Sequence, residues 1–102
     1  MRESGDEETQ MHRQIEWLTR ADVTILEFLH AARDTRGNPA IQSPAIISDN
    51  TGLSRKHVGN RCRHLADHDL VEKVERGRYR LADKGERLMS GRIQPRDLNR
   101  NV

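Results

Sequence analysis

Apolar residues fall into short blocks separated by polar breaks, and the spacing inside each block sets the element expected there. Residues 1 to 10, MRESGDEETQ, carry no apolar period and read as the start of a flexible acidic arm over 1 to 16. Met11, Ile15 and Leu18 stand at i, i+4 and i+7, which fits a leading helical turn or an arm that packs on a partner. Thr19 with Asp22 resembles a capping box. Beyond it Leu18, Ala21, Ile25, Leu26, Phe28, Leu29 and Ala32 line one stripe, so a helix is predicted over about 20 to 33. The run DTRGNPA ends it through Gly37 and Pro39.

AIQS has the length of an edge strand, and Ser43 followed by Pro44 is an N-cap with proline in the first helical position. A second helix is therefore expected over 44 to 50, with Ile46 and Ile47 in the core and a stop at Thr51-Gly52. Leu53, Ser54 and Val58 fit a hydrophobic staple around an N-cap serine, which starts a third helix at Arg55 and carries it to about His68. Two helices joined by a short turn containing glycine are the helix-turn-helix signature. After Asp69 the pattern becomes extended: LVEKVER and RYRLA flank Gly77 as a hairpin, with Tyr79 and Leu81 facing inward. Asp83 and Glu86 give a D-x-x-E start for a last helix from Lys84 to Ser90, and RIQPRDLNRNV reads as a loose tail over 92 to 102. The fold class is α+β, mainly α, with one domain over 17 to 91.

Composition limits the core rather than the fold. Of 102 residues only 33% are hydrophobic and 3% aromatic, so one modest core must be built mostly from Leu, Ile, Val and Ala. Net charge is only +2, but residues 1 to 50 hold five Arg against nine acids, whereas 51 to 102 hold thirteen Lys or Arg against seven acids. That asymmetry points to a polyanionic partner for the second half, against the plainer alternative of a patchwork surface. Three lysines stand beside fifteen arginines, a bias that suggests a GC-rich or halophilic genome. The single cysteine, Cys62, excludes an intrachain disulfide, and no run is apolar enough for a signal peptide or membrane span, so a cytoplasmic protein is expected.

The third helix carries the candidate chemistry. At 100° per residue Val58, Cys62 and Leu65 share a core stripe, Lys56, Asn60, Arg63 and Asp67 a second stripe, and His57, Arg61, His64 and His68 a third. Residues 55 to 66 contain no acid, so Ser54 with the free amides of the first turn, Arg55, Lys56 and Arg61 can meet phosphates, and His57 or His64 can approach them. Asn60 suits adenine, and Lys56 or Arg63 suits guanine, in a major groove wide enough for a helix. Arg76, Arg78 and Arg80 surround the hairpin tip, where a basic wing can follow the backbone or enter the minor groove. The plain alternatives are a solvated charged helix and an edge hairpin kept soluble by charge. His64 and His68 are spaced for a metal, but no Cys pair, HExxH motif or carboxylate cluster completes a site, and Cys62 reads as a small core residue. Neither a cofactor nor an enzyme is expected, since paired carboxylates, a nucleophile with its base and a phosphate-binding loop are all missing.

Helix, helix-turn-helix, two-stranded wing and helix follow one another in the order of a winged helix-turn-helix domain. The stretch TGLSRKHVGNRCRHLADHDLVEKVERGRYRLADKG, residues 51 to 85, resembles the haloarchaeal family named after the phage phi-H repressor, and the resemblance covers about residues 17 to 90. The shared pattern is a serine-capped basic helix, an L-V strand, an E-R-G-x-Y-x-L wing and a D-x-G helix start. The resemblance implies double-stranded DNA binding, transcriptional regulation, and a homodimer on a partly palindromic operator, and the expected function is a sequence-specific regulator of the repressor kind. It carries contacts onto Lys56, Asn60, Arg61 and Arg63 in the helix and Arg76 and Arg78 in the wing. Asp69 replaces the glycine that winged domains usually have between helix and strand, a departure that aspartate can accommodate because it can adopt the left-handed conformation. Met11, Ile15 and Trp17 at the front, with Leu88, Met89 and Ile93 at the back, are apolar residues without an evident place in the domain and are expected to form the dimer contact. A winged protein-interaction module, or a metal- or redox-responsive regulator using His64, His68 or Cys62, are the alternative functions.

Overall fold

Thr19 opens the first helix with both halves of a capping box: the Asp22 amide donates to Thr19 Oγ1 at 3.1 Å, and the Thr19 amide donates to Asp22 Oδ2 at 2.9 Å. A computed structural model describes residues 15–99, and in it this helix, α1, runs Arg20–Ala31. It buries Val23 as well as Ile25, Leu26 and Leu29. The predicted stripe omitted Val23 because α1 is packed on several sides, touching both helices that follow, the last helix and the second strand of the hairpin.

The AIQS segment forms a single bridge rather than a strand. Gln42 N–H donates to Tyr79 O at 2.7 Å and Tyr79 N–H to Gln42 O at 2.8 Å. Helix α2, Pro44–Thr51, then starts on Ser43, whose Oγ accepts from the Ile46 amide at 3.2 Å, and stops at Gly52 with φ of 81°. Ile47 is fully buried, but Ile46 is 43% exposed. Consecutive positions lie 100° apart, and this short helix has only one covered side, so the expectation that both isoleucines enter the core is corrected. Ser48 Oγ donates to Leu53 O at 2.6 Å and the Leu53 amide donates to Thr51 Oγ1 at 3.3 Å, which fixes the turn into the next helix.

Helix α3, Arg55–Asp67, is capped by Ser54, whose Oγ accepts from the His57 amide at 3.1 Å. It ends in a Schellman motif: Leu70 N–H donates to Leu65 O at 3.0 Å and Asp69 N–H to Ala66 O at 3.0 Å, with Asp69 at φ of 65°. The aspartate accordingly adopts the left-handed backbone at the position where glycine is usual. Asp69→Gly should remove the Cβ strain and raise stability by about 1 kcal/mol, seen as a higher urea midpoint; a lower midpoint would show that the Asp69 side chain contributes more than it strains.

Strands β1, Val71–Glu75, and β2, Arg78–Leu81, pair antiparallel with Val71 opposite Leu81 and Lys73 opposite Tyr79. The register slips between Lys73 and Glu75, leaving Val74 as a bulge, and Gly77 turns the tip at φ of 70°. Tyr79 and Leu81 are buried, as alternation predicts. The last helix, α4, is Asp83–Met89. Asp83 lies inside the helix and pairs with Arg87 at 3.1 Å, while Ala82 takes the cap position without a side-chain hydrogen bond, so the expected start at Lys84 is one residue late. Segment 92–99 is more ordered than a loose tail: Ile93 and Leu98 pack against the core, and Pro95–Asn99 forms a 3₁₀ turn.

Candidate nucleic-acid interface

Burial along α3 separates its faces. Val58, Cys62 and Leu65 are fully buried, whereas Ser54, Arg55, Lys56, His57, Asn60 and Arg63 are exposed. Arg63 Nη2 donates to Asn60 Oδ1, which links two members of the outward stripe. Among the described residues Arg55 and Lys56 take part in no ion pair. The wing adds Arg76 and Arg78 at its exposed tip; Arg78 pairs with Glu75, and Arg80, two residues further in, donates to Glu72 at 3.0 Å.

Arg61 departs from expectation. Its Nε donates to Asp22 Oδ1 and its Nη2 to Asp22 Oδ2, each at 2.7 Å, so the guanidinium is turned toward α1 rather than toward a groove. The pair raises the Arg61 pKa further above its already high ordinary value, chiefly through the hydrogen bond. Asp22 is fully buried. Its capping role is local in sequence, whereas its partner lies 39 residues away.

His64 and His68 of the third stripe also face the protein, whereas His57 is exposed. His68 stacks on Trp17 at 3.8 Å between ring centroids, and His64 meets Trp17 edge-on at 5.3 Å. Half-buried in this way, His64 is less open to a phosphate than exposed His57. Burial first, and then the neighbouring His64, lower the pKa of His68, while Asp67 and Asp69 oppose that shift and Lys84 adds to it. The unfolded chain therefore takes up this proton before the folded one. Stability from neutral His68 should be complete above its ordinary value of 6.5 and fall as pH drops through the lower folded value. Melting temperature should decline over that window, and His68→Gln should flatten the decline; an unchanged slope would assign it to other groups.

The apolar residues expected at a dimer contact are largely used within the chain. Ile15 is fully buried, because the turn closed by Leu18 N–H to Ile15 O at 3.0 Å folds the front segment onto the core, and Leu88 on α4 is 3% exposed in the same core. Trp17, Met89 and Ile93 are half-buried against the same core, and Met11 lies outside the described residues. Ile15 and Leu88 are thus corrected to core residues. Cys62 is fully buried, and desolvation pushes its thiol up to about 12, so it is no ready thiolate in this state. Among the described residues no group of three His, Cys, Asp or Glu side chains is placed to hold a metal, and no helix is long and apolar enough to cross a membrane.

Comparison with known proteins matches residues 11–101 to the model of the winged helix-turn-helix phage repressor family. The chain belongs to that family. A repressor protein of Halobacterium phage phiH is 34% identical over 86 residues, covering 81% of this chain and 91% of the relative. The crystal structure of a PhiH1 repressor-like protein from Haloarcula marismortui superposes with a TM-score of 0.64 at 30% identity, covering 76% of this chain and 82% of the other. In this phage repressor family member, the winged helix fold comprises α1, the α2–α3 pair, the β1–β2 wing and α4.

Proposed function

We propose that the protein is a sequence-specific, DNA-binding transcriptional repressor that reads the major groove with α3 and holds the backbone or minor groove with the wing. One observation carries this reading: the outward stripe of α3 offers Lys56, Asn60 and Arg63, all exposed, on a helix free of acids until Asp67. Those three residues meet base edges. Ser54, Arg55 and His57 lie at the amino-terminal end, where helix amides and cations meet phosphate. Arg76 and Arg78 supply sequence-independent contacts at the wing tip. The names of the phage phiH and Haloarcula relatives support a repressor rather than an enzyme. A homodimer on a two-fold operator completes the reading, with its contact outside the buried Ile15 and Leu88.

The test separates helix from wing. Fragments selected from random DNA by the protein should be bound by Asn60→Ala with a loss of roughly 1–3 kcal/mol and with relaxed preference at one base position. Arg76→Ala should weaken every sequence alike and flatten the salt slope by about one unit. Equal, uniform losses from both variants would refute this division of labour.

A further inference from the structure

We propose that the Asp22–Arg61 pair sets the rotation of the reading helix about its own axis, which makes both residues positioning residues for sequence recognition. The inference rests on the assignment of α3 as the reading helix. Arg61 lies next to Asn60 and two residues before Arg63, so its direction fixes theirs at 100° per residue. Side-chain tips lie about 5–6 Å from a helix axis, so a roll of about 10° displaces them by about 1 Å. Recognition groups tolerate displacements of only about 0.5 Å.

The apolar contacts of α3 resist such a roll weakly, and the rings of His64 and His68 on Trp17 lie toward its carboxyl end, beyond Asn60 and Arg63. Val58, Cys62 and Leu65 anchor α3 through apolar burial, which has little directional preference, and Cys62 is small. The fork of Arg61 on Asp22 is directional, with two bonds of 2.7 Å to the two oxygens of one carboxylate. That carboxylate is itself held in place, because Oδ2 also accepts the Thr19 amide at 2.9 Å at the start of α1. Helix α1 packs on β2 as well, so reading helix and wing are referenced to one element.

The experiment uses Arg61→Lys, which keeps the charge but loses the fork, and Asp22→Asn, which keeps an acceptor for Thr19 but loses the charge. Each is measured well below its melting temperature on a fragment selected by the wild-type protein and on a scrambled fragment. The ratio of the two Kd values should fall about tenfold or more, while scrambled-fragment affinity and salt slope remain those of wild type. Residual dipolar couplings of α1 and α3 amides should show the roll directly. A ratio within about twofold of wild type, with unchanged couplings, would overturn the proposal. So would a uniform loss with a shallower salt slope in Arg61→Lys, since that marks a phosphate contact. If neither single variant folds, Asp22→Leu combined with Arg61→Met restores an apolar contact without the fork; retained discrimination in that protein would equally overturn the proposal. Should the wild-type chain itself fail to discriminate, the DNA assignment falls, and the couplings alone decide whether the pair sets the roll.

Discussion

Gly85→Ala is expected to destabilise the protein by about 3 kcal/mol or more, near the upper end for an added methyl group in a packed site. A Cβ on Gly85 would stand 2.2 Å from Leu70 O and 2.8 Å from Leu81 Cδ1. The leucine side chain can move, but the carbonyl cannot move cheaply. Leu70 O accepts from the Ala82 amide at 3.0 Å, and the Leu70 amide is committed to Leu65 O in the cap of α3. Relief therefore requires either α4 to withdraw from the helix-strand corner or that cap to open. Gly59→Ala provides the control, since a Cβ there would meet nothing within 4 Å and alanine is the better helix former. It should gain about 0.5–1 kcal/mol. Urea unfolding of the two variants should give midpoint shifts of opposite sign, and a Gly85→Ala protein as stable as wild type would contradict the close approach.

Arg61→Ala is expected to cost about 3–5 kcal/mol, because it leaves the Asp22 carboxylate without its charged partner in a site closed to water. Asp22 is fully buried, whereas 21% of the Arg61 side chain reaches solvent. Asp22→Ala strands the more accessible group, yet it also removes a capping interaction worth about 1 kcal/mol. Both single variants should be severe for different reasons. Together they should cost less than the sum, with coupling of about 1–3 kcal/mol in a double-mutant cycle. Simple additivity would show that the two side chains do not act as one unit.

These two sites also mark the limit of what is legible in the sequence. Caps at Thr19, Ser43 and Ser54 are local signals, set by a residue and an amide three positions on, and all three form. The wing follows from alternation around Gly77, and the left-handed Asp69 from the need to turn a helix into a strand. The exposed stripe of Lys56, Asn60 and Arg63 is equally a matter of helical period. The partner of Arg61 and the neighbour of Gly85 are not local: one is 39 residues distant, and the other is a backbone carbonyl across a corner. Periodicity places Arg61 on a flank without showing that α1 covers it. Ile15 and Leu88 lack an evident place in the sequence for the same reason, since their neighbours in the core come from distant segments.

The bridge between Gln42 and Tyr79 bears on how the wing would engage a ligand. A two-stranded ribbon held only by its own turn would swing about its base, and ordering it at the moment of contact would subtract from affinity. Two backbone hydrogen bonds, at 2.7 and 2.8 Å, instead clamp the inner strand to the segment leading into α2. The backbone entropy of orienting the inner strand is then lost during folding, so the base of the wing turns with the domain.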